Sequence, residues 1–179
     1  AWDDATSTAS FRSYAVLPLP GLTGKVMHYY QTDIVFQEVP GEISLCFFIC
    51  GCTLRCHGCH SWHTWREEAG MPLTEALFLA QLDRYQGSLS CVLFMGGEWH
   101  ETALCHYLDL AIEKGLKTCL YTGRESVSNN LLSRLTYLKT GPWRQDLGGL
   151  DQPNTNQRFI EVTSGQCLND HFQRKDIAV

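Results

Sequence analysis

Three cysteines, Cys52, Cys56 and Cys59, fall within the run Gly51-Cys52-Thr53-Leu54-Arg55-Cys56-His57-Gly58-Cys59-His60. The spacing C-x3-C-x2-C suits one loop wrapped around a compact metal centre, because each short spacer lets the chain turn back. Two kinds of centre fit these residues. A cubane iron–sulfur cluster takes thiolates on its iron corners, and three cysteines leave one corner open to bind a substrate. The same thiolates with His57, His60 or His63 close a Cys3His zinc site instead. Spacing alone does not choose between them.

A second set of residues bears on that choice. Met95-Gly96-Gly97-Glu98 follows an apolar strand. Two glycines allow a ligand to lie against bare backbone, and Glu98 supplies a carboxylate for an ammonium group. A lone Gly-Gly-Glu is more often a plain strand-to-helix turn. It gains weight here by following the cysteine loop at the next strand end. Tyr121-Thr122-Gly123 ends a third strand, and Thr122 suits a ligand hydrogen bond or an ordinary strand-end cap equally well.

The elements that must position these residues alternate in type. Ile34-Val35-Phe36 and Ile43 to Cys50 read as strands, the second nearly all apolar and so buried on both faces. Thr74 caps a helix running to about Tyr85, with Leu73 and Phe78 spaced as a hydrophobic staple. Cys91 to Met95 is a short strand. Leu104, Tyr107, Leu108 and Ala111 mark a helix stopped by Gly115. Thr118 to Tyr121 is the next strand, and a weaker helix covers about Ser126 to Arg134. Tyr137-Leu138-Lys139 leads into Gly141-Pro142, a polar loop spans 144–157, and Phe159 to Val162 is the last strand. Strands alternating with helices predict an α/β fold, a partial (βα) barrel or an open, mainly parallel sheet. Sites in such folds form where the strands end. The cysteine loop, Gly96–Glu98 and Tyr121–Gly123 should therefore converge.

Composition narrows the class. The chain has 179 residues, about one domain's worth. Its 14 Lys+Arg against 19 Asp+Glu give a charge of -5, the opposite of the basic balance a nucleic-acid binder needs. Hydrophobic residues at 44% supply a packed core. No run approaches the roughly 18 apolar residues that cross a bilayer, so no membrane span is expected. Nine cysteines is an odd count, and five of them (Cys46, Cys91, Cys105, Cys119, Cys167) lie mostly in apolar stretches as small hydrophobes. Cys46 and Cys50 share parity on one strand and read as core. The pattern suits a reducing cytoplasm, and the stretch around Ala15–Leu22, broken by Pro18 and Pro20, makes no convincing secretory signal. Residues 1–26 are Ser/Thr/Ala-rich without periodicity and are expected to be a non-native or poorly ordered extension, with 27–179 as one domain. A short ordered arm is the alternative.

Taken together, Cys52, Cys56, Cys59 and Gly96-Gly97-Glu98 give a sequence that resembles the radical S-adenosylmethionine superfamily. More closely, it resembles the small activating proteins of anaerobic ribonucleoside-triphosphate reductase. The stretches that carry this are Asp33-Ile34-Val35, Gly51 to His60, Thr64-Trp65, Leu93 to Glu98, Tyr121-Thr122-Gly123, Lys139-Thr140-Gly141-Pro142, Gly148-Gly149-Leu150 and Thr155-Asn156-Gln157-Arg158. Gly58 before the third cysteine departs from the aromatic of many superfamily members, His60 stands where relatives often carry Tyr, and Trp99 replaces a frequent Pro.

The resemblance implies a radical S-adenosylmethionine type of fold and a 4Fe-4S cluster on Cys52, Cys56 and Cys59. The cluster's open iron would chelate S-adenosylmethionine, with Gly96, Gly97 and Glu98 at the methionyl ammonium. Gly58 and His60 would touch the adenosyl moiety, and Thr122 the ribose or carboxylate. One electron from a donor such as flavodoxin or ferredoxin would cleave the sulfonium bond to methionine and a 5′-deoxyadenosyl radical. That radical would take a hydrogen from a backbone glycine of the large reductase subunit. Trp62 and Trp65 are candidates for a partner-facing surface, although local packing explains them equally well. The loop 144–157, with Arg144 and Arg158 near its ends, could clamp the reductase or the cofactor carboxylate, but reads first as an ordinary polar surface loop. Two rival readings remain: an activase of another glycyl-radical enzyme or small radical enzyme, and a zinc-binding structural or interaction module.

Overall fold

The fold grows from four parallel strands, the first three of them short apolar runs buried on both faces. In the computed structural model, which describes residues 26–173, they are β2 (Ser44–Ile49), β4 (Cys91–Met95), β5 (Lys117–Tyr121) and β6 (Tyr137–Thr140). The flanks are antiparallel. On one side lie β1 (His28–Val35) and the two-residue β3 (Met71–Pro72), on the other β7 (Arg158–Glu161). The order across the sheet is β3-β1-β2-β4-β5-β6-β7. This is an open sheet rather than a closed barrel, parallel at its centre. The extension expected at the N-terminus lies, except for Val26, outside the described residues.

Each central strand divides its side chains between two cores, as its pleat requires. Leu45, Phe47 and Ile49 of β2, with Val92 and Phe94 of β4, face one layer. Cys46, Cys91, Leu93 and Cys119 face the other. The first layer is covered by helices α1 (Glu75–Arg84) and α2 (Glu101–Glu113), through Phe78, Leu82, Leu104, Tyr107, Leu108 and Ala111. The second is closed by non-helical chain carrying Val39, Leu150 and Phe159.

Several sequence expectations are met residue by residue. Thr74 accepts a hydrogen bond from the Leu77 amide at 3.2 Å, and the staple residues Leu73 and Phe78 are both buried. Gly115 ends α2 at φ +75°. Other elements differ. β1 starts at His28, before the expected Ile34, and a bulge between Tyr29 and Thr32 hides its alternation. The helix expected over Ser126–Arg134 shrinks to one turn, α3 (Asn129–Leu132), in which only Leu131 is buried. A single turn has too little apolar surface to extend itself. Tyr137–Thr140 is a full sheet member because Tyr137, Leu138 and Lys139 are all buried.

The register aligns the strand ends. Phe48 pairs with Met95, Met95 with Tyr121, and Tyr121 with Lys139. One row therefore crosses the carboxyl ends of all four parallel strands.

Candidate metal centre and ligand cavity

That row forms part of a cavity wall. Phe48, Met95, Tyr121 and Lys139 line a cavity together with Cys52, Cys56 and Cys59, and with Gly96, Glu98 and Thr122. The expected convergence of the three strand ends is what the structure holds. Each cysteine is half-buried.

The loop begins with a forced turn. Gly51 sits at φ +97° and Arg55 at φ +48°, and Arg55 is the one non-glycine in that region among the described residues. A left-handed arginine costs roughly 1–2 kcal/mol. The backbone amides of Leu54 and Arg55 lie in this turn, on the side of the Cys52 thiol. Burial pushes the Cys52 thiol pKa up, and these two amides pull it part of the way back. Amides near a thiol stabilise its thiolate form, the form in which a cysteine binds metal.

Glu98 is buried, and its two oxygens differ. Oε1 accepts from the Thr122 hydroxyl at 2.7 Å and lies 3.5 Å from Arg124 Nε. Oε2 is buried with no hydrogen-bond partner. Burial raises the Glu98 pKa, and the Thr122 hydroxyl, the residue's own backbone amide and the Arg124 guanidinium only partly oppose it. Thr122, read as either a ligand contact or a strand-end cap, holds Glu98, and its oxygen accepts the Arg124 amide at 3.0 Å. The indole nitrogens of Trp65 and Trp143 are likewise buried and unpartnered, and both rings line the cavity.

Not every expected residue reaches the cavity wall. Gly97 turns toward the core, where an added Cβ would lie 3.4 Å from Ile49 and from the Met27 sulfur. Gly58, at φ +71°, would place a Cβ 3.2 Å from Gln145 and 3.5 Å from Trp143 Nε1. His60 is exposed with its ring 4.8 Å from that of Trp143. Gly58 and His60 therefore lie against a cavity-lining residue without lining it themselves. The His63 ring lies 4.5 Å from that of Tyr30, tilted at 52°, and His57 is exposed.

Sequence reasoning missed Lys139. It is 8% exposed, donates to the Gly141 carbonyl at 3.0 Å, and faces the cavity. Burial pushes its pKa down to about 8, while Cys56, Cys59 and Glu125 act in the opposite direction. A lysine inside an otherwise apolar strand was the available signal. Trp143, in the polar loop after β6, was missed for lack of any periodicity there.

A family model described as a 4Fe-4S single cluster domain matches residues 39–147, more than half of the chain. The chain belongs to that family. No curated protein matches it. Membership resolves the choice left by the cysteine spacing toward iron–sulfur chemistry. The residues fit a single cluster, with three half-buried thiols of one loop lining one cavity and two buried, unpaired indole N–H groups beside them. Among the described residues, no three His, Cys, Asp or Glu side chains are gathered around the position of one metal ion. A cubane spreads its ligands over separate irons and needs no such gathering. No helix among the described residues is long and apolar enough to cross a membrane.

Proposed function

We propose that this single-cluster protein reductively cleaves S-adenosylmethionine and serves as the activase of an anaerobic ribonucleoside-triphosphate reductase. The observation that carries the reading is the unpartnered Glu98 Oε2, buried in the same cavity as the three cysteines and Lys139. One free carboxylate oxygen and one buried ammonium are the complement of a zwitterionic amino-acid end. Three protein thiolates leave a fourth iron to hold such an end. The resemblance to radical S-adenosylmethionine proteins supports the same ligand.

The chain's own residues bind, orient and exclude water. Cys52, Cys56 and Cys59 would hold the cluster, with the Leu54 and Arg55 amides tuning the Cys52 sulfur. Glu98 accepts the ligand ammonium on Oε2, oriented by Thr122 and Arg124. Gly96 lets the ligand approach the backbone, and Lys139 offers a cation to the ligand carboxylate. Phe48, Met95 and Tyr121 form a largely apolar wall. When bound, the cluster would supply a single low-potential electron for reductive cleavage of the sulfonium bond, whose products would be methionine and a deoxyadenosyl radical able to take a hydrogen from a partner glycine. The wall contributes water exclusion, which protects a radical from quenching. The partner is the large glycyl-radical reductase subunit, and the electron comes from a donor such as flavodoxin or ferredoxin.

The test is anaerobic. After reconstitution with iron and sulfide, dithionite and S-adenosylmethionine are added and 5′-deoxyadenosine is quantified. The reading expects equal amounts of methionine and 5′-deoxyadenosine, and a glycyl-radical resonance when the large subunit is present. A complete, reducible cluster that yields no 5′-deoxyadenosine even with the subunit present overturns it.

A further inference from the structure

Trp99 directly follows the Gly-Gly-Glu turn, and it touches both segments that carry the site. Its indole N–H donates to the Cys50 carbonyl at 3.0 Å, two residues before Cys52. Its ring lies against two glycines. A Cβ on Gly96 would come within 2.5 Å of the ring's Cη2, and one on Gly51 within 2.9 Å of Nε1. Both glycines have positive φ, 84° and 97°, so each is a turn whose direction sets the next residues. The ring also lines the cavity. A rigid side chain is thus wedged between the start of the cysteine loop and the Glu98 turn, which are far apart in sequence.

We infer that Trp99 is a positioning residue that sets the separation between the cysteine loop and the Glu98 carboxylate, and through it the affinity for the ligand. The separation stands on packing alone, whereas the consequence for affinity rests on the function proposed above. An indole suits the task because it holds a hydrogen bond and a flat contact surface with only two side-chain torsions to fix. Losing the N–H frees the Cys50 carbonyl. Losing the ring removes the wall that both glycine turns share.

The experiment compares cluster-loaded wild type, Trp99→Phe and Trp99→Leu, each checked for iron and sulfide. Amide hydrogen exchange is read first, because it needs no ligand. Exchange should accelerate in both 50–59 and 96–98, by about fivefold or more in Trp99→Leu and less in Trp99→Phe, with α1 unchanged. Acceleration in only one segment, or equally in α1, overturns the inference. The dissociation constant for S-adenosylmethionine is then measured in wild-type and Glu98→Gln backgrounds. Trp99→Leu should weaken binding about tenfold in the first and less than about twofold in the second, since its effect passes through Glu98. Equal weakening in both backgrounds overturns it. If fully loaded wild type binds no S-adenosylmethionine, the proposed function falls, and the exchange comparison alone decides the role of Trp99.

Discussion

Two buried glutamates stand at opposite ends of the parallel strands. Glu42 lies at the amino end, beside the row Ser44–Cys91–Lys117. Its Oε1 accepts from Lys117 Nζ at 2.5 Å and from the Tyr137 hydroxyl at 3.2 Å. Burial raises its pKa, but hydrogen bonds from Lys117, Ser90 and Tyr137 outweigh that and leave it below the ordinary value. Glu98 lies at the carboxyl end, has an unpartnered oxygen, and keeps a raised pKa. The fold stabilises the charge of one and leaves the other incompletely paired. A buried carboxylate that its own protein does not satisfy is a cost to folding, and a ligand that brings the missing donor removes that cost.

The comparison can be broken first at the carboxyl end. Cys56→Ala should abolish cluster retention, measured as iron content and visible absorbance, while the amino end is untouched. A full cluster in that variant would remove Cys56 from the ligand set. Glu98→Gln should come next, weakening S-adenosylmethionine binding by about ten- to a hundredfold in anaerobic calorimetry, as expected for losing a hydrogen bond to a charged group. Its unfolding free energy should not fall, because the change removes a buried charge that lacks a full set of partners. A marked loss of stability would mean that Glu98 is structural after all.

Glu42→Gln should behave in the opposite way. It removes the charged acceptor for Lys117 and Tyr137, so denaturant unfolding should show a loss of about 1.5–3 kcal/mol with ligand affinity unchanged. Loss of affinity without loss of stability would invert the assignment of the two ends. The smallest effect is in pH dependence. A carboxylate whose folded pKa is depressed stabilises the fold above its unfolded value of about 4.3 and loses that contribution as pH falls through the folded value. Wild-type stability should therefore drop on acidification below about pH 5 more steeply than that of Glu42→Gln. Parallel slopes would show that the Lys117 contact contributes nothing in solution.

Much of the site was legible because its residues are local in sequence. The cysteine loop spans Cys52–Cys59, and Gly96 and Glu98 share one turn, so each group could be read as a unit, and their places at successive strand ends brought the two together. The β2, β4 and β5 strands were legible from their apolar runs, and α1 from its cap and staple. Lys139 was not. Its strand is four residues long, with one face on Leu138 and the other on Tyr137 and Lys139, too short for a period to emerge. Thr122 was legible as a strand-end residue, but its hydrogen bond to Glu98 was not, because it links the ends of two separate strands.

The sequence by itself determined which residues could bear the chemistry: three thiols at a metal-binding spacing, a glycine turn and an acid, each carried at a strand end. The tertiary structure alone decided which row those strand ends share, which oxygen of Glu98 stays unpaired, and that Trp99 bridges Cys50 to Gly96. The physical reason lies in the reach of each signal. Side-chain periodicity reports the face of a strand, but hydrogen-bond register between strands far apart in sequence decides which neighbour each side chain meets.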